Sequence, residues 1–371
     1  MSDYIVSARK YRPQTFDTVV GQKSITSTLK NAIKNDHLAQ AFLFCGTRGV
    51  GKTTTARILA KTINCTSRSE AIEACNTCES CKSFNDNASL NVYELDAASN
   101  NSVDDIRELI HQVSIAPQLG DFKVYIVDEV HMLSQSAFNA FLKTLEEPPK
   151  HAIFILATTE KHKIIPTILS RCQIFDFKRI TPNDIAEQLT FVATQEGISA
   201  DPEALFLIAQ KADGAMRDAL SIFDQVVTFV GNSLTYKSVV ENLNILDYEY
   251  FFKIIEASQK GEVPTCLLLL NDIYEKGFDL HHFLLGLSEH LRNLLIAKDI
   301  RTASLLELGA ATEQRYVEQA KQIPDNHLLT AISIISKADV DYKSAKNTRL
   351  LVELTLIQLC SLSETDEKKN A

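Results

Sequence analysis

The run Gly46-Thr47-Arg48-Gly49-Val50-Gly51-Lys52-Thr53 constrains this chain more than any other feature. It follows a short apolar segment, Ala41 to Cys45, and leads into a helix-prone stretch, Thr54 to Thr62. Strand, glycine-rich loop and helix in that order are the setting of a phosphate-binding loop. Glycines let the backbone close around an oxyanion so that successive N–H groups point inward. The helix that follows adds the positive end of its dipole. Lys52 is placed to reach the β- and γ-phosphates of a nucleotide, and the Thr53 hydroxyl to ligate Mg2+. The bland alternative is a glycine-rich strand-to-helix turn. Such a turn needs neither Gly-Lys-Thr nor the flanking order.

Around this loop, short apolar runs alternate with helical patterns through the first half of the chain. The runs are Ala41 to Cys45, Val92 to Leu95, Val124 to Val127, Ile153 to Ala157 and Cys172 to Phe177. Ser102-Val103-Asp104-Asp105 reads as a capping box ahead of Ile106, Leu109, Ile110 and Val113 at helical spacing. Phe138, Phe141, Leu142 and Leu145 form a second stripe, closed by Pro148-Pro149. Strands alternating with helices predict an α/β fold, a parallel sheet covered on both faces. The strand pattern stops near Phe177. Thr181-Pro182 and Asp201-Pro202 start helices, and a third begins near Ala215. The expected division is a nucleotide-binding domain over 1–179, a small helical lid over 180–243 and an all-helical domain over 244–371.

Four of the eight cysteines, Cys65, Cys75, Cys78 and Cys81, fall within seventeen residues at spacing x9, x2, x2. In a reducing compartment this is a metal site rather than a disulfide framework. Four thiolates satisfy tetrahedral Zn2+ with no open position, which makes the site structural. An iron–sulfur cluster and free thiols are the competing readings. The polar surroundings predict an exposed insertion at about 65–81 whose folding free energy comes from the metal. Cys45, Cys172, Cys266 and Cys360 lie in apolar stretches and are expected to be small buried hydrophobes. A net charge of −9 excludes nucleic-acid binding by overall field but leaves local contacts to phosphates possible. No apolar run approaches the roughly eighteen residues of a membrane span, and no secretory signal is expected, so the default location is the cytoplasm.

Val124 to Asp128 and Glu129 form an apolar strand ending in two acids, about 75 residues after the loop. In a phosphate-loop enzyme Asp128 stands beside Thr53 and holds Mg2+, while Glu129 polarises the attacking water. A solvated strand-end pair is the alternative. His131 is read as structural. Thr158-Thr159-Glu160 ends the strand from Ile155, and a threonine there is open between contacting the γ-phosphate or water and simple helix capping. Arg171, between a helix and a strand, suits a phosphate in its own or a neighbouring subunit, or a surface ion pair. Arg217, on a lid helix, carries the same ambiguity.

These segments together resemble the gamma/tau family of bacterial DNA polymerase III, clamp-loader ATPases of the AAA+ superfamily. The resemblance rests on Ala8 to Pro13, Phe16 to Gln22, Gly46 to Thr54 and the four cysteines. It extends through Asp128 to Ser134, Phe141 to Pro149, Ser170 to Cys172 and Gly214 to Leu220. It is close over the first two domains; in the third it is one of length and helical character. It implies that Tyr11, Arg12, Val19, Val20 and Gln22 lie around the adenine and ribose of ATP. It implies that Thr158 is the sensor 1 residue, Arg217 the sensor 2 residue reaching phosphates in cis, and Arg171 the arginine finger acting on the adjacent subunit. It implies a C-terminal collar that assembles with other gamma or tau copies and with delta and delta-prime. It further implies ATP binding that opens the beta sliding clamp on primer–template DNA, and hydrolysis that releases it.

Two departures weaken direct charge contacts to DNA: Asn100-Asn101-Ser102 and Gln135 stand where basic residues are common in the family. Ser102 and its helix N-terminus remain candidate phosphate contacts. None of the further domains of the longer tau form is present, so the chain reads as a gamma-like short form or a fragment. The rival functions are a nucleotide-binding subunit without hydrolysis and a Holliday-junction type AAA+ helicase; the cysteine cluster argues against the latter. DNA synthesis by this chain is not expected, because no set of separated carboxylates suits a two-metal palm. Any polymerase label would belong to the holoenzyme.

Overall fold

A computed structural model describes residues 5–117, 120–243, 246–303, 306 and 309–369. By packing, the chain divides between Ser233 and Leu234 into two units. The boundary expected after Leu243 abuts residues 244 and 245, which lie outside the described residues.

The first unit opens with a one-turn helix α1 (Ser7–Lys10) and a single 3-10 turn (Phe16–Thr18). In chain order there follow α2 (Lys23–Lys34), β1 (Ala41–Cys45), α3 (Lys52–Ile63), α4 (Glu79–Asn85), β2 (Val92–Asp96) and α5 (Val103–Val113). Then come β3 (Lys123–Asp128), α6 (Gln135–Glu146), β4 (Ala152–Thr158), α7 (Pro166–Leu169) and β5 (Gln173–Asp176). The five strands are parallel in the order β2-β3-β4-β1-β5. Every residue of β1 and β4 is buried. That is why they read as continuous apolar runs rather than alternating ones. Phe42 and Phe44 face one side with Ile126 and Ile155, under Leu29 of α2 and Leu59 of α3. Leu43 faces the other with Tyr125, Phe154 and Leu156, under Ile106 of α5 and Phe141 of α6. At the sheet edge the expected strand Cys172 to Phe177 is shorter, Gln173–Asp176, because it pairs with β1 alone. Phe177 continues that alignment by donating its N–H to the Cys45 carbonyl at 2.7 Å.

Three helices complete this unit: α8 (Pro182–Glu196), α9 (Pro202–Lys211) and α10 (Met216–Val230). The predicted starts hold. Thr181 Oγ1 accepts the Asp184 N–H at 3.2 Å, and Asp201 Oδ1 accepts that of Glu203 at 3.1 Å.

The second unit is helical among its described residues, apart from Leu234 at its first position: α11 (Tyr236–Asn242), α12 (Tyr248–Gln259), α13 (Val263–Glu275), α14 (Leu280–Ala297), α15 (Ile300–Ala303), α16 (Ala310–Gln322), α17 (Asp325–Tyr342) and α18 (Thr348–Lys369). Its core gathers Phe251, Leu284, Leu287, Leu291, Ile335 and Leu356. One buried polar chain crosses it. Gln319 uses its amide N–H on the Phe252 carbonyl at 2.9 Å, so its Oε1 accepts from His290 Nε2 at 3.2 Å. His290 Nδ1 then accepts the Tyr316 hydroxyl at 2.7 Å. Burial pushes the imidazole down to about 3 and keeps it neutral. Among the described residues no helix is long and apolar enough to cross a membrane.

Candidate functional site

The loop from Gly46 to Gly51 joins the end of β1 to the first turn of α3. Gly51 caps α3 with φ 101° and ψ 10°, a left-handed backbone that a side chain resists. Gly49 is glycine for two reasons. Its φ is 80°, and a Cβ there would lie 2.8 Å from the Ala215 Cβ at the foot of α10. Lys52 is buried, and its Nζ donates to the Gly46 carbonyl at 2.7 Å and the Thr47 carbonyl at 2.8 Å. Burial lowers its pKa, while Glu129 and Asp128 oppose the shift.

Over the loop opens a cleft of about 740 Å³. Arg48 to Thr54 form its floor, Asp128 and Glu129 one end, and Arg217 of α10 the lid side. Tyr11, Arg12, Val19 and Val20 of the N-terminal segment line the remaining wall. The chain thus brings most of the expected residues to one place. Gln22 is not among the lining residues. It is buried behind the wall, where its amide donates to the Lys178 carbonyl at 2.7 Å. Arg12 Nε donates to Thr54 Oγ1 at 3.2 Å. Burial, helped by the nearby Arg57, lowers the Arg12 pKa, while Glu94 and Asp128 oppose the shift. Tyr11 donates its hydroxyl to Glu196 of α8 at 2.6 Å and meets Phe191 edge-on.

At the strand ends, Thr53 Oγ1 donates to Asp128 Oδ2 at 2.6 Å, across two elements far apart in sequence. Glu129 has a left-handed backbone, φ 49° and ψ 44°. Its carboxylate accepts the Thr159 hydroxyl at 2.9 Å and lies 3.4 Å from His131 Nδ1. His131 Nε2 in turn lies 3.0 Å from Glu160. Thr158 is fully buried; its hydroxyl accepts the Glu160 N–H at 3.0 Å, a turn cap, and lies 3.1 Å from His131 Nδ1. The sequence offered both threonines without dividing their roles, and gave His131 a structural part without its partners: Thr159 is the one that meets Glu129, and His131 bridges Glu129 and Glu160.

Arg171 lies outside the cleft. Its guanidinium donates to the Thr167 carbonyl at 2.7 Å and to Glu146 at 2.6 Å. The Ser102 hydroxyl donates to Asp105 at 2.6 Å, and the first turn of α5 carries Asp104 as well. Two acids at that helix end oppose a phosphate there.

The four clustered cysteines bring their sulfurs within 4.8 Å of one another. Cys65 Sγ and Cys78 Sγ are 3.9 Å apart, close to the roughly 3.8 Å edge of a tetrahedron with a ~2.3 Å metal–sulfur bond. Backbone N–H groups of Cys75 and Cys78 point at the sulfurs of Cys65 and Cys75, both at 3.3 Å. The Thr77 hydroxyl, with the N–H groups of Thr77 and Cys78, pulls the Cys75 thiol down to about 5, whereas burial pushes the Cys81 thiol up. The donor set fits a soft tetrahedral ion. Much of the expected exposed loop is exposed, but Cys65 and Cys81 are buried, and Cys81 lies within α4. Of the other cysteines, Cys45, Cys266 and Cys360 are buried as expected, but Cys172 is half-buried at the sheet edge.

Three family models cover the chain in succession. One described as DNA polymerase III, delta subunit, matches residues 21–181. One for the DNA polymerase III clamp loader subunit, ATPase lid domain, matches 184–232, and one for domain III of subunits gamma and tau matches 234–371. DNA polymerase III subunit tau of Bacillus subtilis is 40% identical over 355 residues, covering 96% of this chain and 63% of tau. The Escherichia coli tau subunit is 39% identical, covering 96% and 55%. Against these tau relatives the chain therefore spans less than two thirds of their length. DNA polymerase III subunit gamma of Buchnera aphidicola from Acyrthosiphon pisum is 36% identical, covering 97% of this chain and 99% of its own. Among solved structures, the Thermotoga maritima RuvB Holliday junction branch migration motor aligns with a TM-score of 0.48 at 19% identity, over 67% and 78% of the two chains. That likeness is too distant to argue from.

Proposed function

The chain belongs to the DNA polymerase III gamma/tau family, and from that premise we propose that it is the ATPase subunit of a sliding-clamp loader. The observation that carries this reading is the 2.6 Å hydrogen bond from Thr53 to Asp128 beside Lys52. A Mg2+-nucleotide needs a hydroxyl and a carboxylate from two separate elements at one point, next to the lysine that meets its phosphates. In this reading the phosphates of ATP lie over Gly46 to Thr54, and the adenosine lies against Tyr11, Arg12, Val19 and Val20, with Gln22 supporting from behind. Thr53 and Asp128 would hold the Mg2+ that neutralises the phosphates. Glu129 polarises the attacking water, with Thr159 and His131 fixing its carboxylate and Thr158 acting through His131. Arg217 meets phosphates in cis, and Arg171 those of the neighbouring subunit.

On the same premise the second unit is the collar that joins other gamma or tau copies, delta and delta-prime in the cytoplasm. ATP binding then opens the beta clamp for primer–template DNA, and hydrolysis releases the closed clamp. The direct test is phosphate release with and without a clamp and primed template. Stimulation by both together is expected; a chain in its assembly that never hydrolyses ATP would overturn the reading. Lys52→Ala removes the one side-chain cation the loop supplies to the β/γ-phosphates. Nucleotide affinity is expected to fall about a hundredfold in equilibrium titration.

The four cysteines are read as a structural Zn2+ site. Cys65, Cys75, Cys78 and Cys81 hold the ion, and its role is to fold the insertion, with no part in the chemistry. Purified chain is expected to carry about one zinc, and Cys81→Ser to lose it. Stripping the ion is expected to open the segment between Cys65 and Cys81 to protease. Full protease protection in the metal-free chain would remove this role.

A further inference from the structure

The N-terminal segment forms one wall of the cleft, yet it has only a one-turn helix and a 3-10 turn of its own. Side chains from elsewhere hold it in place. At one end Asp224 of α10 accepts the Ser7 N–H at 2.7 Å and is also hydrogen-bonded by the Ser7 hydroxyl. At the other end the tie comes from the four-cysteine module. Glu73, buried between Cys65 and Cys75, accepts the Phe16 N–H at 3.0 Å and the Asp17 N–H at 3.2 Å. Lys30 of α2 closes this site, its Nζ 2.8 Å from Glu73 and 2.7 Å from Asp17. A second tie runs through Lys61 of α3, which is 2% exposed. Its ammonium donates to Gln14 at 3.3 Å and to Asn76, between Cys75 and Cys78, at 2.8 Å. Both ties therefore fall on residues 14–17, midway between Arg12 and Val19, which line the cleft.

We propose that Glu73 is a positioning residue for nucleotide binding, through which the four-cysteine module sets the adenosine-side wall of the cleft. The proposal rests on the nucleotide reading above. A buried carboxylate that takes two backbone N–H groups and one ammonium fixes the turn it holds. Without it the ligand must order that wall itself, and binding bears that cost. Among the described residues, the hydrogen bonds and ion pairs of Thr53, Asp128 and Glu129 at the phosphate end do not include Glu73 or Lys30. The effect therefore separates by ligand: a nucleotide that touches the wall senses Glu73, and a bare phosphate chain does not.

The test uses the full chain with Glu73→Gln, which keeps the shape of the side chain but turns one acceptor into a donor and removes the charge facing Lys30. ADP and pyrophosphate are titrated separately in Mg2+ buffer, with zinc content measured alongside. ADP affinity is expected to fall about tenfold and pyrophosphate affinity to stay within about twofold. In steady state KM for ATP rises while kcat holds. Removing the metal from the unaltered chain with a zinc-selective chelator is expected to give the same ADP-selective loss and to add nothing to Glu73→Gln. This second arm decides the matter should the variant not fold. Equal loss for both ligands, or an ADP affinity unmoved by either treatment, would overturn the proposal. An unaltered chain that binds neither ligand would sink the nucleotide reading first.

Discussion

Glu129→Gln is expected to leave nucleotide affinity within about twofold and to lower turnover about a thousandfold. The substitution keeps the volume of the side chain and one acceptor oxygen, so the 2.9 Å hydrogen bond from Thr159 survives. It removes the negative charge that faces His131 and the basicity that an attacking water needs. Thr53 and Asp128, the proposed Mg2+ pair, keep their geometry, since the hydrogen bond between Asp128 and Glu129 uses the Glu129 backbone N–H, at 3.0 Å, and not its carboxylate. Binding and chemistry should therefore part cleanly. Equilibrium titration with a nucleotide and single-turnover phosphate release on the assembled loader measure the two separately. Turnover that survives the change would remove Glu129 as the base.

The second large effect depends on assembly. Arg171→Ala is expected to leave ATP binding by the isolated chain unchanged and to cut hydrolysis by the assembled ring about a thousandfold or more, the range of an arginine supplied in trans. Arg171 lines no part of its own cleft; its guanidinium is held by Glu146 and the Thr167 carbonyl at the surface. Such a partly exposed ion pair is worth about 1 kcal/mol or less, so breaking it to meet a phosphate would cost little. The comparison that matters is one variant measured alone and in the ring. An equal loss in the isolated chain would contradict the assignment in trans.

Much of this architecture could be read from the chain because its causes are local. β1, β3 and β4 announce themselves as unbroken apolar runs, since each is buried on both faces. The loop is legible for the same reason: its glycines, lysine and threonine act on one another within eight consecutive positions. What stayed hidden depends on partners distant in sequence. Gln22, placed near the adenosine by resemblance alone, spends its amide on the Lys178 carbonyl. Thr159 acquires its role from the carboxylate of Glu129 on the neighbouring strand, and no periodicity reports that. Glu73 reads as a solvated acid in a polar insertion, yet it is buried against the N-terminal turn. Cys172 lies next to an apolar strand, but that strand is an edge, so one side of it stays open.

The contact between Gly49 and Ala215 carries a mechanical consequence. With no room for a methyl group on Gly49, the backbone of the phosphate loop packs directly against the Ala215 methyl at the foot of the lid. Packed groups at that range do not compress, so a change in the curvature of the loop must be taken up by the lid as displacement. The pair meshes like two gear teeth, so a shift of the loop backbone would press on the lid without a side chain having to change rotamer.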